Sequence, residues 1–477
     1  MSGKGNAIYL MGGGGTSVIS ASAYGLISRT FAEYRDKIGT FYAAVGGMRG
    51  ALNEDLADVF KFVLRDGEKG ADSRLNLIKF PATPVFGTSR HKPDREDCER
   101  LMSILKAYNI HYVFLNGGND TMEKALILME FGAAESYELH VIGIPKTVDN
   151  DLLVTQRCPG YASFAKQTAI KTMSLQADLD AFGLAEGAVR GGPIKEGAVA
   201  QVVVFMGRDE GWGAAASVLA RIDESYGPHV ILTKEGGFNL EKFVARCQDA
   251  WDRYGNLLVA ASEGAFDGDQ YLGYYLDIAA EKFGLKFKVH TDPHKNTSVS
   301  DSRLSLFLKL VIEKHLKVDT AVFKAMKCRE EGPGYLDRNN LEIMSAPDFQ
   351  DAVAVGQKAA DLAFGSKPVD GVMVTLCSSK AGETGMTPLG TVADSVKGSK
   401  GMTRSIKTLN TNGKSILSDD GMMIDRDLYR GYIEHIVDLD GPNRSVCLKK
   451  DGFKLPLARI KWPLEPRKLK SHEKKAS

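Results

Sequence analysis

The sequence predicts an α/β protein with mostly parallel sheets, built as more than one domain. Three observations carry this. Short apolar runs of strand length are followed by glycines and polar residues, and then by stretches with helical periodicity. The pattern recurs in both halves of the chain. The polar clusters fall at the carboxyl ends of the strands, where open parallel sheets bind their ligands.

In chain order, Ala7–Leu10 is a short strand, Gly12–Gly15 break it, and Val18–Ile27 reads as a helix. Backbone N–H groups in such a turn can hold an anion, though four glycines equally make a plain tight turn. No Gly-Lys-Thr/Ser follows, so it is not a nucleotide P-loop. Thr40–Val45 is the next strand, with Gly46, Gly47 and Gly50 behind it. Asp66–Leu77 is polar and reads as surface loop. Gly87-Thr88-Ser89-Arg90 precedes a charged segment that becomes a helix over Asp97–Tyr108. Tyr112–Leu115 is a buried strand, Met122–Tyr137 a helix, and Leu139–Ile144 another strand. This unit carries two polar clusters, Gly117-Gly118-Asn119-Asp120-Thr121 and Pro145-Lys146-Thr147-Val148-Asp149-Asn150-Asp151.

A second core begins near Thr168. Ala198–Phe205 is a buried strand ending in Met206-Gly207-Arg208, and Ala214–Ala220 reads as a helix. Val230–Leu232 leads to Lys234-Glu235-Gly236-Gly237, and Leu257–Ala261 to Ser262-Glu263-Gly264. Lys286–Arg303 is a polar loop and Leu304–His315 a helix. Glu330–Gly334 is a turn before Tyr335–Arg338. Phe349–Phe364 is a helix and Gly371–Leu376 a strand. Ser378–Gly413, with Lys397, Lys400 and Arg404, reads as a loop system. From Glu465 onward the chain reads as a frayed polar tail. The expected boundaries are 1–165 for the first α/β domain, 166–345 for the second, 346–460 for helices and a strand returning to the core, and 461–477 for the tail.

The 477 residues suffice for two substantial cores. With 61 basic and 60 acidic side chains the formal charge is +1, which argues against nucleic acid or an anionic membrane as partner. The six cysteines lack pair spacing, as expected of reduced thiols in the cytoplasm. No apolar stretch reaches the length of a membrane span, and no signal peptide is visible.

Asp120, Asp149 and Asp151 are three carboxylates in one strand–helix–strand unit. They could bind a hard cation such as Mg2+, or one could take a proton from a hydroxyl. Asp149 or Asp151 could equally cap the segment that follows. Lys146 offers a mobile positive charge, and Arg90, Arg208, Arg329 and Arg338 are either phosphate clamps or solvated surface charge. Phosphoryl transfer needs a base, a cation site and positive groups on the equatorial oxygens.

The two clusters and Met206-Gly207-Arg208, in this order, resemble the phosphofructokinase family, and most of all its branch that uses pyrophosphate in place of ATP. The resemblance runs from Ala7 to about Phe364. It implies two similar three-layer α/β/α domains with the active site in a cleft, Mg2+ as cofactor, and homodimers or homotetramers that share sugar-phosphate sites. The implied substrates are pyrophosphate and fructose 6-phosphate. Asp149 matches the general base, with Thr147 and Asp151 beside it at the sugar and the metal. Met206, Gly207 and Arg208 match the strand end that meets the sugar phosphate and the transferring group. Glu235 matches a sugar-binding glutamate. Tyr335 and Arg338 match the pair on the 6-phosphate, and Arg329 the arginine lent by a partner subunit. Gly13 and Arg90 match donor-side residues.

The donor assignment turns on Asp120 and Lys146. ATP users resemble one another in carrying glycine where this chain has Asp120, whose carboxylate would occupy the α-phosphate space. Lys146 would meet the leaving phosphate. Asn119 departs from the family pattern, in which an acidic metal ligand stands there, and so does the longer, more polar segment 286–334. ATP-dependent transfer and a non-catalytic phosphosugar-binding subunit are the competing expectations.

Overall fold

In a computed structural model the described residues are 4–81, 83–187, 198–268, 271–274, 303–319, 325–340, 342–393, 407–411, 413–439, 460 and 462–469. Eleven strands build two sheets: β1 Asn6–Met11, β2 Phe41–Ala44, β3 Leu56–Asp58, β4 Ile110–Gly117, β5 His140–Pro145, β6 Ala198–Phe205, β7 Val230–Leu232, β8 Leu257–Ser262, β9 Met326–Glu331, β10 Val372–Leu376 and β11 Thr384–Pro388. The seven-stranded sheet has the order β11-β10-β5-β4-β1-β2-β3, and the four-stranded sheet the order β7-β8-β6-β9. Among the described residues of these two sheets, β10–β11 and β2–β3 are the antiparallel pairs, and a separate two-residue ribbon pairs Asn410–Thr411 with Lys414–Ser415.

The chain divides into two compact units. The first comprises the described residues of 1–163, 338–406 and 440–477, the second those of 164–337 and 407–439. In the first, Ala7, Tyr9, Phe41, Phe114, Ile142 and Val374 pack one face of the sheet against Ile19, Leu26, Val355 and Phe364. Ile8, Leu10, Val113, Leu115 and Val141 pack the other face against Leu101, Leu105, Met122 and Leu389. Buried on both faces, these strands read as continuous apolar runs rather than alternating ones. In the second unit Val202, Val204, Leu232 and Val259 pack on Phe243, Trp251, Leu308 and Ile312.

Several sequence expectations need correction. Asp66–Leu77 is not loop, because Ala71–Lys79 is a helix that buries Ala71, Leu75 and Ile78. Its apolar stripe is narrow, and the charges between hide it. The helix expected from Met122 begins at Asn119, which sets Asn119 and Asp120 in its first turn. Ala214–Ala220 is two short helical pieces, Trp212–Ala215 and Ala216–Ala220. Glu330 and Glu331 close strand β9 rather than open a turn. β11 falls inside the stretch read as loop, while Lys397, Lys400, Arg404 and the segment 275–302 lie outside the described residues.

The tail is the largest change. Leu464 bridges Ala57 in antiparallel fashion, the Glu465 N–H donates to the Leu56 carbonyl at 2.8 Å, and Asp58 N–H to the Pro463 carbonyl at 3.2 Å. The strap thereby covers the outer edge of β3, which would otherwise expose unpaired backbone groups. Trp462 packs in tilted ring contacts against Phe62 and Phe86, with centroids 4.7 and 4.5 Å away. Glu54, whose side chain is wholly buried, accepts from Arg100, Tyr108 and the backbone N–H groups of Lys468 and Leu469.

Candidate active site

In the first unit β5, β4 and β1 are neighbours and parallel, with Asn116 opposite Met11 and Pro145 opposite Gly117. That register brings Gly12, Gly118 and Lys146, each just past its strand, to one edge of the sheet. Gly13 has φ +77°, a backbone region that suits glycine, and its N–H donates to the Ser89 carbonyl at 3.2 Å. The turn is thereby tied to the segment that carries Arg90. A side chain at Gly14 would collide with the Arg338 guanidinium, since a Cβ there would lie 2.6 Å from its NH1.

Lys146 reaches into this turn. Its Nζ donates to the Gly14 carbonyl at 2.6 Å, and a Cβ on Gly13 would lie 3.4 Å from it. Burial lowers its pKa from 10.5 to about 8; Asp149 and Asp151 pull it back up, while Arg338 and Arg90 push it down. These five charges therefore form one electrostatic group. Asp149 lies in a tight local turn: its N–H donates to Thr147 Oγ1 at 3.1 Å, and the Thr147 hydroxyl donates to its Oδ2 at 3.4 Å. The next residue, Asn150, is buried with φ 55° and accepts from the Cys158 N–H.

Asp151 and Asn119 are both buried, and the Asn119 Nδ2 donates to Asp151 Oδ2 at 2.6 Å. Asp120 goes the other way. It is exposed at the start of its helix, with Lys92 Nζ 3.7 Å from its Oδ1. Lys124, one turn along, is buried, and its pKa is lowered by that burial, against the pull of Asp120. The expected trio of Asp120, Asp149 and Asp151 therefore does not converge. Among the described residues no three His, Cys, Asp or Glu side chains group as a metal cluster. The reason is helical geometry: successive residues of a first turn point about 100° apart, so Asn119 faces inward and Asp120 outward. Lys92 was missed in the sequence because it lies 28 positions from its partner, in a loop with no periodicity.

In the second unit β6, β7 and β8 are parallel and end together, with Phe205 opposite Ser262 and Leu232 opposite Ala261. Met206 is buried. Gly207 has φ 140° and its carbonyl accepts from the Gly264 N–H at 2.9 Å and from the Ser262 hydroxyl. Arg208 is exposed just beyond. Two carboxylates meet this edge. Glu235 accepts from the Gly211 N–H at 3.2 Å, and burial raises its pKa. Glu263 accepts from the Gly207 N–H at 3.3 Å. The sequence marked Glu263 only as a strand end; its contact with Gly207 places it at the same edge as Glu235. Arg329, on β9, pairs with Asp178 of its own unit, and Tyr335 is half exposed. Tyr335 and Arg338, expected as a pair, fall in different units, and Arg338 joins the Lys146 group.

Three comparisons bear on this arrangement. The family model described as phosphofructokinase matches residues 6–338. The pyrophosphate--fructose 6-phosphate 1-phosphotransferase of Xanthomonas campestris pv. campestris is 32% identical over 370 residues, covering 76% of this chain and 77% of its own. That of Rhodospirillum rubrum is 30% identical and covers 90% and 95%. The crystal structure of a pyrophosphate-dependent phosphofructokinase from Marinobacter aquaeolei superposes with a TM-score of 0.74 at 28% identity, over 98% of this chain and all of the other.

Proposed function

Because this chain belongs to the phosphofructokinase family, in its pyrophosphate-dependent branch, we propose that it transfers a phosphoryl group reversibly between pyrophosphate and the 1-hydroxyl of fructose 6-phosphate. The observation that carries the reading is the buried Lys146 ammonium, set in the glycine turn amid Asp149, Asp151, Arg338 and Arg90. Asp149 is the base: it takes the proton of the 1-hydroxyl as that oxygen bonds to phosphorus. The bond from phosphorus to the bridging oxygen breaks, and inorganic phosphate leaves. Lys146, the Gly13–Gly14 backbone and Arg90 hold the donor, and Thr147 fixes the Asp149 carboxylate. Met206, Gly207 and Arg208, with Glu235 and Glu263, bind the sugar. Arg338 and Tyr335 are assigned to its 6-phosphate, and Arg329 to a partner's site in a homodimer or homotetramer.

Mg2+ fits as cofactor on the donor set: Asp149, Asp151 and the Asn119 amide oxygen would hold it. Mg2+ is commonly bound by one or two carboxylates with substrate phosphates and water completing the shell. When bound it neutralises charge on the phosphates. Asp120 serves the donor side rather than the metal, paired with Lys92 where a longer nucleotide would extend. Among the described residues no helix is long and apolar enough to cross a membrane, and a cytoplasmic location accords with the substrates.

The test is kcat/KM with pyrophosphate and with ATP, in both directions, for the wild type and Asp149→Ala. The wild type should use pyrophosphate and nearly ignore ATP. Asp149→Ala should keep its fold and lose about 10²–10⁴ in turnover. A wild type that prefers ATP would overturn the donor assignment. One that binds fructose 6-phosphate but turns over with no donor would point to the non-catalytic reading.

A further inference from the structure

Lys171 has no part in the reaction as described, yet it stands where three pieces of the second unit meet. It projects from the helix Tyr161–Gly187, with 13% of its side chain exposed. Its Nζ lies 2.8 Å from Glu331 Oε1 and 3.4 Å from each carboxylate oxygen of Asp337. It also lies 5.6 Å from the centroid of the Phe205 ring, and Phe205 closes β6 just before Met206-Gly207-Arg208. Glu331 closes β9, opposite Val203 of β6. One ammonium therefore ties together the end of β6, the end of β9 and the turn that follows β9.

Asp337 holds that turn shut. Its Oδ2 accepts from the Gly334 N–H at 3.1 Å, so Tyr335 and Leu336 ride on a closed loop, 51% and 74% exposed, while Asp337 itself is 4% exposed. Burial raises the Asp337 pKa; Lys171 and the Gly334 N–H bring it back down, and Glu331 adds to the rise. Without the lysine, a buried carboxylate would face a second one with no counter-charge. It would then turn out to water, which breaks its bond to Gly334, or take a proton, which weakens that bond. We propose that Lys171 is a positioning residue for the sugar-phosphate end of the site: through Asp337 it fixes the turn that presents Tyr335 to the 6-phosphate. This rests on the phosphotransferase reading above. Lys171 touches no substrate, and its effect falls on acceptor binding, not on the donor or the chemical step.

Steady-state kinetics on the full chain test this, with fructose 6-phosphate and pyrophosphate varied in turn and fructose 6-phosphate binding followed by calorimetry. Lys171→Met should raise KM and Kd for fructose 6-phosphate at least about 10-fold, with kcat and the KM for pyrophosphate within about 3-fold of wild type. Lys171→Arg should keep the fructose 6-phosphate KM within about 3-fold of wild type. The double variant Lys171→Met/Asp337→Asn should recover most of the loss, because an amide oxygen accepts from the Gly334 N–H without needing a counter-charge. An unchanged fructose 6-phosphate KM in Lys171→Met would overturn the proposal, and so would a loss shared equally by kcat and both KM values. A double variant that binds fructose 6-phosphate no better than Lys171→Met would also overturn it. Where Lys171→Met does not fold, the double variant decides: a KM near wild type supports the proposal, and one raised about 10-fold overturns it. A wild type that binds no fructose 6-phosphate would overturn the phosphotransferase reading itself, and the assigned role of Lys171 with it.

Discussion

Lys146 sits at the glycine turn with almost no water around it, and that burial brings its pKa down to about 8. Two opposite pH trends follow. In the proposed reaction the ammonium holds the donor, so kcat/KM for pyrophosphate should fall as pH rises through about 8, and Lys146→Met should be slow and lack that alkaline limb. Stability should move the other way. Below pH 8 both folded and unfolded chains carry the proton, and the burial penalty is present in full. Between about 8 and the unfolded value of 10.5, the unfolded chain binds more protons, so this group makes stability climb with pH. Urea midpoints from pH 7.5 to 9.5 for wild type and Lys146→Met would show it; parallel curves would mean that the lysine titrates normally.

At the scale of elements, the strap 462–469 is the part that composition concealed. Its residues are charged and proline-rich, with no periodicity, and nothing in the sequence ties Lys468 to Glu54, 414 positions away. A chain ending at residue 461 should lose at least about 2 kcal/mol, from the Trp462 packing and two hydrogen bonds to a buried carboxylate. It should also aggregate more readily, since β3 becomes an open edge. Urea unfolding and light scattering would check this; an unchanged midpoint would return the strap to the status of a loose end. Eight of the eleven strands, by contrast, were legible to within about two residues, because burial on both faces writes itself as an uninterrupted apolar run, whereas β3, β9 and β11, short or polar, were not. The polar clusters were legible too, since they follow those runs directly. Lys92 and Glu263 were not, because each acquires its role only through a contact made by the folded chain. The helix Leu240–Tyr254 also went unread, although Asn239 caps it and Gly255 ends it.

For the whole molecule, the chain passes between its units at 163/164, 337/338, 406/407 and 439/440. Neither unit is a single stretch of sequence. Residues 1–163 alone lack β10, β11 and the helix Ala346–Phe364, whose Val355, Ala359 and Phe364 close one core. Expressed alone they should show no cooperative unfolding transition; a sharp one by circular dichroism would contradict the division. The strand order has a consequence in time as well. β5 accepts β10 as its parallel neighbour, with Ile142 opposite Val372. On the ribosome, at about 5–20 residues per second, β5 emerges roughly 10–50 s before its neighbour does. Through that interval the nascent chain carries an apolar strand with one unpartnered side. The nascent chain is therefore expected to be most prone to mispairing at this strand while its second unit is being made.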